Sequence, residues 1–286
     1  MTDGVRRGEI RALGLRTPVL ETGPEDASEA VVFLHGHPGC GADWGDLLAR
    51  VGASARCIAF DLPGFGDADK PRDWDYSPGG GATWLAAALH ELGVERAHLV
   101  VHDYGGPIGL IWGLAHPDAW ASVVMIDIGV LIGYRWHPIA QLYRVPVLGE
   151  LMCRTTFEAA FRLLIDRYNP QPRKLPREFV DRMWAGYDLG TRRAVMSFYR
   201  ASPPGGMERM VDAYRVLDKP ALVVWGRHDP ATRVEHAESQ RRSFPSARVV
   251  VLEDSGHWAH IDDPEGAANA IVPFLREQLG VATRSV

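Results

Sequence analysis

The stretch Leu99-Val100-Val101-His102-Asp103-Tyr104-Gly105-Gly106 joins a short β-branched run to one acidic residue and two glycines, and the helix-compatible run Pro107–Ala115 follows at once. A strand that turns straight into a helix needs small residues at the turn, because the helix must start close behind the strand end. This is the setting of a nucleophile elbow, with an aspartate where a serine usually stands. The helix N-terminus would aim backbone N–H groups at negative charge developing there. The competing reading makes Asp103 only a helix N-cap, and the motifs elsewhere in the chain weigh against it.

Working outward, five other short apolar runs end in turn residues, as buried parallel strands do: Ala30–Leu34, Arg56–Phe60, Val123–Ile126, Ala221–Trp225 and Arg248–Leu252. With His98–Val101 they alternate with helical patterns at Asp43–Val51, Thr83–Leu92, Gly106–Ala115, Val234–Ser243 and Glu265–Leu279. Such alternation predicts a doubly wound parallel sheet. Weaker runs at Gly8–Gly14 and Pro18–Glu21 predict an antiparallel hairpin at one edge. From Gly129 to Asp218 no strand pattern occurs. Helical stretches there are cut by Pro138, Pro146, Pro170, Pro172, Pro176 and the Pro203–Pro204 pair. That interval is too long for a loop and predicts a helical lid, residues 129–218, inserted into a core of residues 1–128 and 219–286.

In an open α/β sheet the ligand lies beyond the carboxyl ends of the strands, so the polar residues that follow each run carry the argument. Phe33-Leu34-His35-Gly36-His37-Pro38-Gly39 would place the His37 N–H beside that of Tyr104 as an oxyanion-stabilising pair. The His37 side chain either faces the cavity or fills the loop, and His35 reads as a loop anchor. Glu253-Asp254-Ser255-Gly256-His257-Trp258 follows the last strand, where His257 can reach over the strand ends to Asp103. Two acids could orient it: Asp229, in Val224-Trp225-Gly226-Arg227-His228-Asp229-Pro230, which is preferred, and Asp127, which ends the strand before the lid. Asp61 and His260 read as structural.

These motifs, spread over nearly the whole chain, resemble the α/β-hydrolase superfamily: His-Gly-x-Pro, Asp-x-Pro-Gly-x-Gly, the elbow, Trp-Gly-x-x-Asp and Gly-His occur in order. The resemblance implies the α/β-hydrolase fold, a mostly parallel eight-stranded sheet flanked by helices with a helical cap. An aspartate at the elbow is similar to epoxide hydrolases and to haloalkane or haloacid dehalogenases, in which a carboxylate forms an alkyl ester that an activated water then hydrolyses. Met196-Ser197-Phe198-Tyr199-Arg200 resembles the second lid-tyrosine motif of epoxide hydrolases and lies thirty residues before Asp229. The resemblance implies a first lid tyrosine too, for which Tyr143 is the best match and Tyr134 a possible one. Tyr104 and His37 occupy the places where haloalkane dehalogenases carry tryptophan and a tryptophan or asparagine, and Tyr104 replaces the arginine of fluoroacetate dehalogenases. Val101, by contrast, is what haloalkane dehalogenases carry two residues before the nucleophile. Epoxide hydrolysis to a vicinal diol leads, dehalogenation is the alternative, and a lid-gated binder without turnover is the third reading.

Bulk properties agree with a small-molecule enzyme. Of 286 residues, 46% are hydrophobic and 23% charged, as in globular proteins. The net charge of −5 supplies no basic footprint for nucleic acid. No window has the ~18 apolar residues of a membrane span, and the start of the chain lacks the apolar core of a signal peptide. Cys40, Cys57 and Cys153 match neither a disulfide framework nor a metal site, which predicts reduced thiols and a cytoplasmic protein. No metal or organic cofactor is required. The expected partners are a small apolar epoxide or halogenated substrate and water, with the chain a monomer or homodimer.

Overall fold

Alternate residues of the central strands divide the interior in two, and this period of two explains why the predicted runs are apolar throughout. The computed structural model describes residues 4–169, 175–203 and 205–281. Its strands are β1 (Arg6–Ala12), β2 (Leu15–Thr22), β3 (Glu29–Leu34), β4 (Arg56–Phe60), β5 (Arg96–His102), β6 (Trp120–Ile126), β7 (Ala221–Gly226) and β8 (Arg248–Leu252). The helices are α1 (Gly45–Gly52), α2 (Pro78–Glu91), α3 (Gly105–Ala115), α4 (Pro138–Arg144), α5 (Leu148–Thr155), α6 (Glu158–Tyr168), α7 (Arg177–Gly186), α8 (Leu189–Ala201), α9 (Val211–Leu217), α10 (Glu235–Ser239), α11 (Ala259–Asp262) and α12 (Pro264–Gln278).

The eight strands form one sheet in the order β1-β2-β4-β3-β5-β6-β7-β8. The β1–β2 hairpin and the β2–β4 pair are antiparallel, and every later pair is parallel. Val32, Leu99, Val101, Val123 and Val223 face one side, with Trp84 and Leu85 of α2 and Ile108 and Leu110 of α3. Val31, Phe33, Val100, Val124 and Val224 face the other, with Leu47 and Leu48 of α1 and Ile271 and Phe274 of α12. Each buried aliphatic side chain of this kind contributes about 1.5–3 kcal/mol by leaving water.

Two helix starts differ from the sequence expectation for local reasons. The predicted Thr83–Leu92 helix begins five residues earlier, at Pro78, because Ser77 caps it by accepting a hydrogen bond from Gly80 N at 3.0 Å. Proline at the first helical position suits its fixed φ, and Gly81 lets α2 approach α3: a Cβ there would stand 2.7 Å from Ile108 Cδ1. The predicted Asp43–Val51 helix opens as a 3-10 turn, Gly41–Trp44, before α1.

Between β6 and β7 the described residues form no strand, only α4 to α9 and a 3-10 turn at Glu208–Met210. Pro138 sits at the first turn of α4, Pro176 just before α7, and Pro146 between α4 and α5. Pro170, Pro172 and Pro204 lie outside the described residues. Phe161, Ile165, Phe179, Val180, Met183 and Tyr187 make an apolar cluster of their own that takes in Trp258 from the loop after β8. The ion pairs Lys70–Asp188 at 2.7 Å and Arg182–Asp43 at 3.0 Å join the same helices to the loops around the sheet. Among the described residues no helix is long and apolar enough to cross a membrane, and all three cysteines are free thiols.

The sheet's centre is its most sensitive part. Leu99, fully buried in β5, should cost about 2–5 kcal/mol when changed to alanine, through lost burial and the cavity left behind. Urea denaturation of wild type and Leu99→Ala would measure it.

Candidate active site

Asp103 stands immediately after β5 with φ +43°, a left-handed backbone that few non-glycine residues adopt. The turn leaves no space behind it: a Cβ on Gly105 would lie 2.3 Å from Leu34 O, and one on Gly36 2.7 Å from the Asp103 Cβ. The elbow thus requires the glycine that the motif contains. The His37 N–H, on the loop after β3, donates to Asp103 Oδ1 at 2.8 Å. His102, just before Asp103, binds the His257 carbonyl through Nε2 at 2.8 Å and so ties the elbow to the loop after β8.

His257 lies between two carboxylates. Its Nδ1 is 2.8 Å from Asp229 Oδ2 and its Nε2 is 3.6 Å from Asp103 Oδ2. The His257 and Asp229 side chains are 3% and 0% exposed, whereas Asp103 keeps 26% of its side chain open. Asp229 also accepts from the N–H groups of Ala231 (2.7 Å) and Thr232 (3.1 Å) and from the Thr232 hydroxyl (2.6 Å). Those bonds hold its second oxygen on the imidazole. Asp127, the other acid considered, does not meet His257. Its oxygens accept from Gly226 N at 2.7 Å and Ala259 N at 3.2 Å, and it ties the ends of β6, β7 and the His257 loop together.

Charge follows from this packing. Burial disfavours an imidazolium, but the negative charges and hydrogen bonds of Asp229 and Asp103 outweigh it and hold His257 well above the usual histidine range. Burial likewise opposes ionisation of Asp103, yet the hydrogen bond and charge of His257, with the His37 N–H, hold its carboxyl far below the usual carboxylate range. Asp127 is pushed well up by burial and then by the neighbouring charge of Asp229. Asp103 and His257 therefore rest as an ion pair.

Above Asp103 opens a cavity of about 440 Å³, within the usual range for small-molecule sites. Its wall includes Tyr104, Ile111, Ile128, Leu131, Trp136 and Phe198, together with Tyr134, His137 and Tyr199. The Tyr104 ring packs between Phe65 and Phe198, at 4.7 and 3.9 Å between centroids. The His37 ring, left open as wall or filler, is not among the residues lining the cavity: it lies near Phe65 and Tyr187, and burial lowers its pKa to about 4. His35 and Asp61 are loop anchors. His35 Nε2 accepts from Leu62 N at 2.9 Å, and Asp61 accepts from Gly41 N and Asp67 N, each at 2.8 Å.

Of the lid tyrosines, Tyr199 on α8 and Tyr134 reach the cavity and Tyr143 does not. The Tyr143 hydroxyl instead shares a 2.5 Å hydrogen bond with Tyr187, and the residue is buried. Next to Tyr199 stands His137, which the sequence reading missed, with its Nε2 3.4 Å from the Tyr199 hydroxyl. His137 caps α4: its Nδ1 accepts from Ala140 N at 3.3 Å and is 2.8 Å from the Tyr168 hydroxyl. With Nδ1 an acceptor, the neutral ring carries its hydrogen on Nε2, which faces Tyr199. Burial lowers the His137 pKa to about 4, so it is neutral at pH 7. Burial and the Asp103 charge push the Tyr199 phenol well up, so it keeps its proton. Pro138 was the available signal, because proline at a helix's first position marks the residue before it as the cap.

The Alpha/beta hydrolase family matches residues 31–270. This chain belongs to the alpha/beta hydrolase family. The hydrolase is 29% identical to a cis-3-alkyl-4-alkyloxetan-2-one decarboxylase of Xanthomonas campestris pv. campestris, over 94% of this chain and 95% of that protein. It is 25% identical to mouse epoxide hydrolase 4, over 94% of this chain and 79% of that one. A solved haloalkane dehalogenase of Agrobacterium tumefaciens superposes with a TM-score of 0.82 at 23% identity, covering 96% and 98% of the two chains. That last likeness concerns the fold.

The ion pair predicts a measurable titration. Removing the Asp103 charge takes away one of the two groups that raise the His257 pKa, so His257 should titrate at lower pH in Asp103→Asn than in wild type. NMR titration of the histidine ring signals would show it, and an unchanged or higher value in the variant would contradict the pairing.

Proposed function

We propose that this hydrolase opens epoxides through an ester on Asp103 and releases vicinal diols. The observation that carries the reading is one cavity lined by an ionised carboxylate, Asp103, and by two neutral donors, Tyr199 on α8 and His137, the residue that caps α4. Opening an epoxide needs both at once. A carboxylate oxygen of Asp103 attacks a ring carbon, the ring C–O bond breaks, and the leaving oxygen takes a hydrogen bond and then a proton from the lid pair. The loose 3.4 Å contact between Tyr199 and His137 lets both turn to one oxygen. Helices α4 to α9 act as the cap that supplies this wall, and Tyr143 is left to a packing role.

Ester formation also switches the base on. Once Asp103 is esterified it has no charge, and the imidazole loses one of the two carboxylates that kept it protonated. The proton on His257 Nε2 passes to the lid group that protonated the alkoxide, and the freed Nε2 then takes a proton from water, whose oxygen attacks the ester carbonyl carbon. Asp229 stabilises the imidazolium so formed. The negative oxygen of that intermediate develops on Asp103, where the His37 N–H already donates and where the Tyr104 N–H at the start of α3 would join it. The bond from the carboxyl carbon to the alkoxy oxygen breaks, the leaving alkoxide takes the proton of the His257 imidazolium and departs as the diol, and one oxygen from water stays in the carboxyl group, which returns its proton to His257.

A halide leaving group fits the cavity less well. No indole N–H follows Asp103, and the N–H of Trp136, the tryptophan of the wall, donates to Ser202 O at 3.2 Å. A second reading is favoured by the Xanthomonas relative, whose name gives it an oxetan-2-one as substrate: a four-membered strained ring would also suit a carboxylate facing neutral donors. Incubation with an epoxide, a haloalkane and a 3,4-dialkyl oxetan-2-one, read for diol, halide and alkene, separates the three. Halide or alkene without diol would overturn the proposal.

Three variants test the steps. His257→Gln should still be alkylated but fail to hydrolyse the ester, so intact-mass measurement should find the adduct on Asp103, whereas Asp103→Ala should form none. Tyr199→Phe removes one donor to the developing alkoxide, which typically costs ~100- to 1000-fold, softened here by His137. Single-turnover kinetics should locate that loss in alkylation and leave ester hydrolysis unaffected.

A further inference from the structure

Among the residues that line the cavity above Asp103, one is a cation. Asp103 and Arg209 are the charged groups of that lining, since His137 is neutral, and most of the remaining wall is apolar: Ile111, Ile128, Leu131, Phe198, Met207 and Met210. Arg209 lies in the 3-10 turn Glu208–Met210 that leads into α9, and it is exposed, which sets it at the cavity's solvent end. Its guanidinium has no hydrogen bond or ion pair among the described residues. The nearby acids are taken: Glu208 accepts from Gly133 N at 3.1 Å, and Asp212 pairs with Arg215. Other arginines of the cap helices pair with acids, as Arg162 does with Glu158 and Asp181 and Arg200 with Glu150.

We propose that Arg209 docks a carboxylate carried by the substrate at the end away from the reacting ring, so that the preferred substrates are amphipathic monocarboxylates whose electrophilic ring sits within an apolar chain. The ring chemistry rests on the function proposed above; the carboxylate site does not. Two charges of opposite sign orient such a molecule. Asp103 repels a carboxylate from the reacting end and Arg209 attracts it at the mouth, while the apolar wall between them takes the chain. A lone guanidinium fits a carboxylate by paired parallel hydrogen bonds, and its single charge balances a monoanion rather than a phosphate dianion. At a solvated rim such a pair is worth about a fivefold preference, weakening as salt screens it.

Binding tests the site without turnover. Decanoate, below its micelle concentration, and methyl decanoate are titrated into wild type, Arg209→Gln, Arg209→Lys and Arg209→Glu, with affinity read by calorimetry. Wild type should bind the acid about fivefold more tightly than the ester at low salt. The ratio should persist in Arg209→Lys, fall to about one in Arg209→Gln, invert in Arg209→Glu, and shrink in wild type as salt is added. An acid-to-ester ratio near one in wild type, or a ratio unchanged in Arg209→Gln, would overturn the proposal. A cis-9,10-epoxy fatty acid and its methyl ester then link site to reaction, and the preference should appear in KM. Arg209-dependent binding of decanoate with no epoxide turned over would leave the carboxylate site standing and refute the epoxide reading alone.

Discussion

A buried imidazole held between two carboxylates is the constraint on which the rest of this structure depends. Burying charge is expensive unless it is paired and hydrogen-bonded, and here the pairing draws on three strand ends. Asp103 follows β5, Asp229 follows β7 and His257 follows β8. The parallel register that sets Val101 beside Met125, Met125 beside Val223, and Val223 beside Val249 brings those ends to one edge of the sheet. Asp127 fits the same logic. Burial and then the charge of Asp229 push its pKa up, and its two oxygens are held by backbone N–H groups rather than by the imidazole.

The cap complements this floor with groups of opposite character. Asp103 is ionised and accepts hydrogen bonds; Tyr199 and His137 are neutral and donate them. Burial produces both results, because it drives a phenol up and an imidazole down unless a charge partner intervenes. His257 has such partners and His137 does not, so two histidines near one cavity are held in opposite protonation states. The proposed chemistry needs that difference. The Trp258 ring, packed into the α6–α7 cluster, and the His102 bond to the His257 carbonyl anchor the loop that carries His257.

The six runs that became β3 to β8 were legible as short apolar stretches with turn residues at their ends, since parallel strands buried on both faces admit few other residue types, whereas the antiparallel β1–β2 hairpin, with one face open, left a weaker trace. The elbow and His257 were legible for a related reason: a turn this tight tolerates only glycine behind Asp103, so the motif is a steric requirement written in local sequence. The early start of α2 was less legible, because Gly79, Gly80 and Gly81 are poor helix formers. Packing explains two of them: a Cβ on Gly81 would meet Ile108, and one on Gly80 would meet Asp75.

The sequence by itself determined the order of strands and helices, the aspartate at the elbow, the histidine after the last strand and the helical interval between β6 and β7, all of which depend on neighbours in the chain. The tertiary structure alone decided which acid meets His257, because Asp229 and Asp127 both follow strands and differ only in what their oxygens touch. It also decided against Tyr143 as a wall of the cavity and placed His137 there, since side chains on separate cap helices converge through packing that no local pattern records. Arg209 follows the same rule: its charge can be read from the chain, but its want of a partner at the mouth of this cavity is a property of the folded surface.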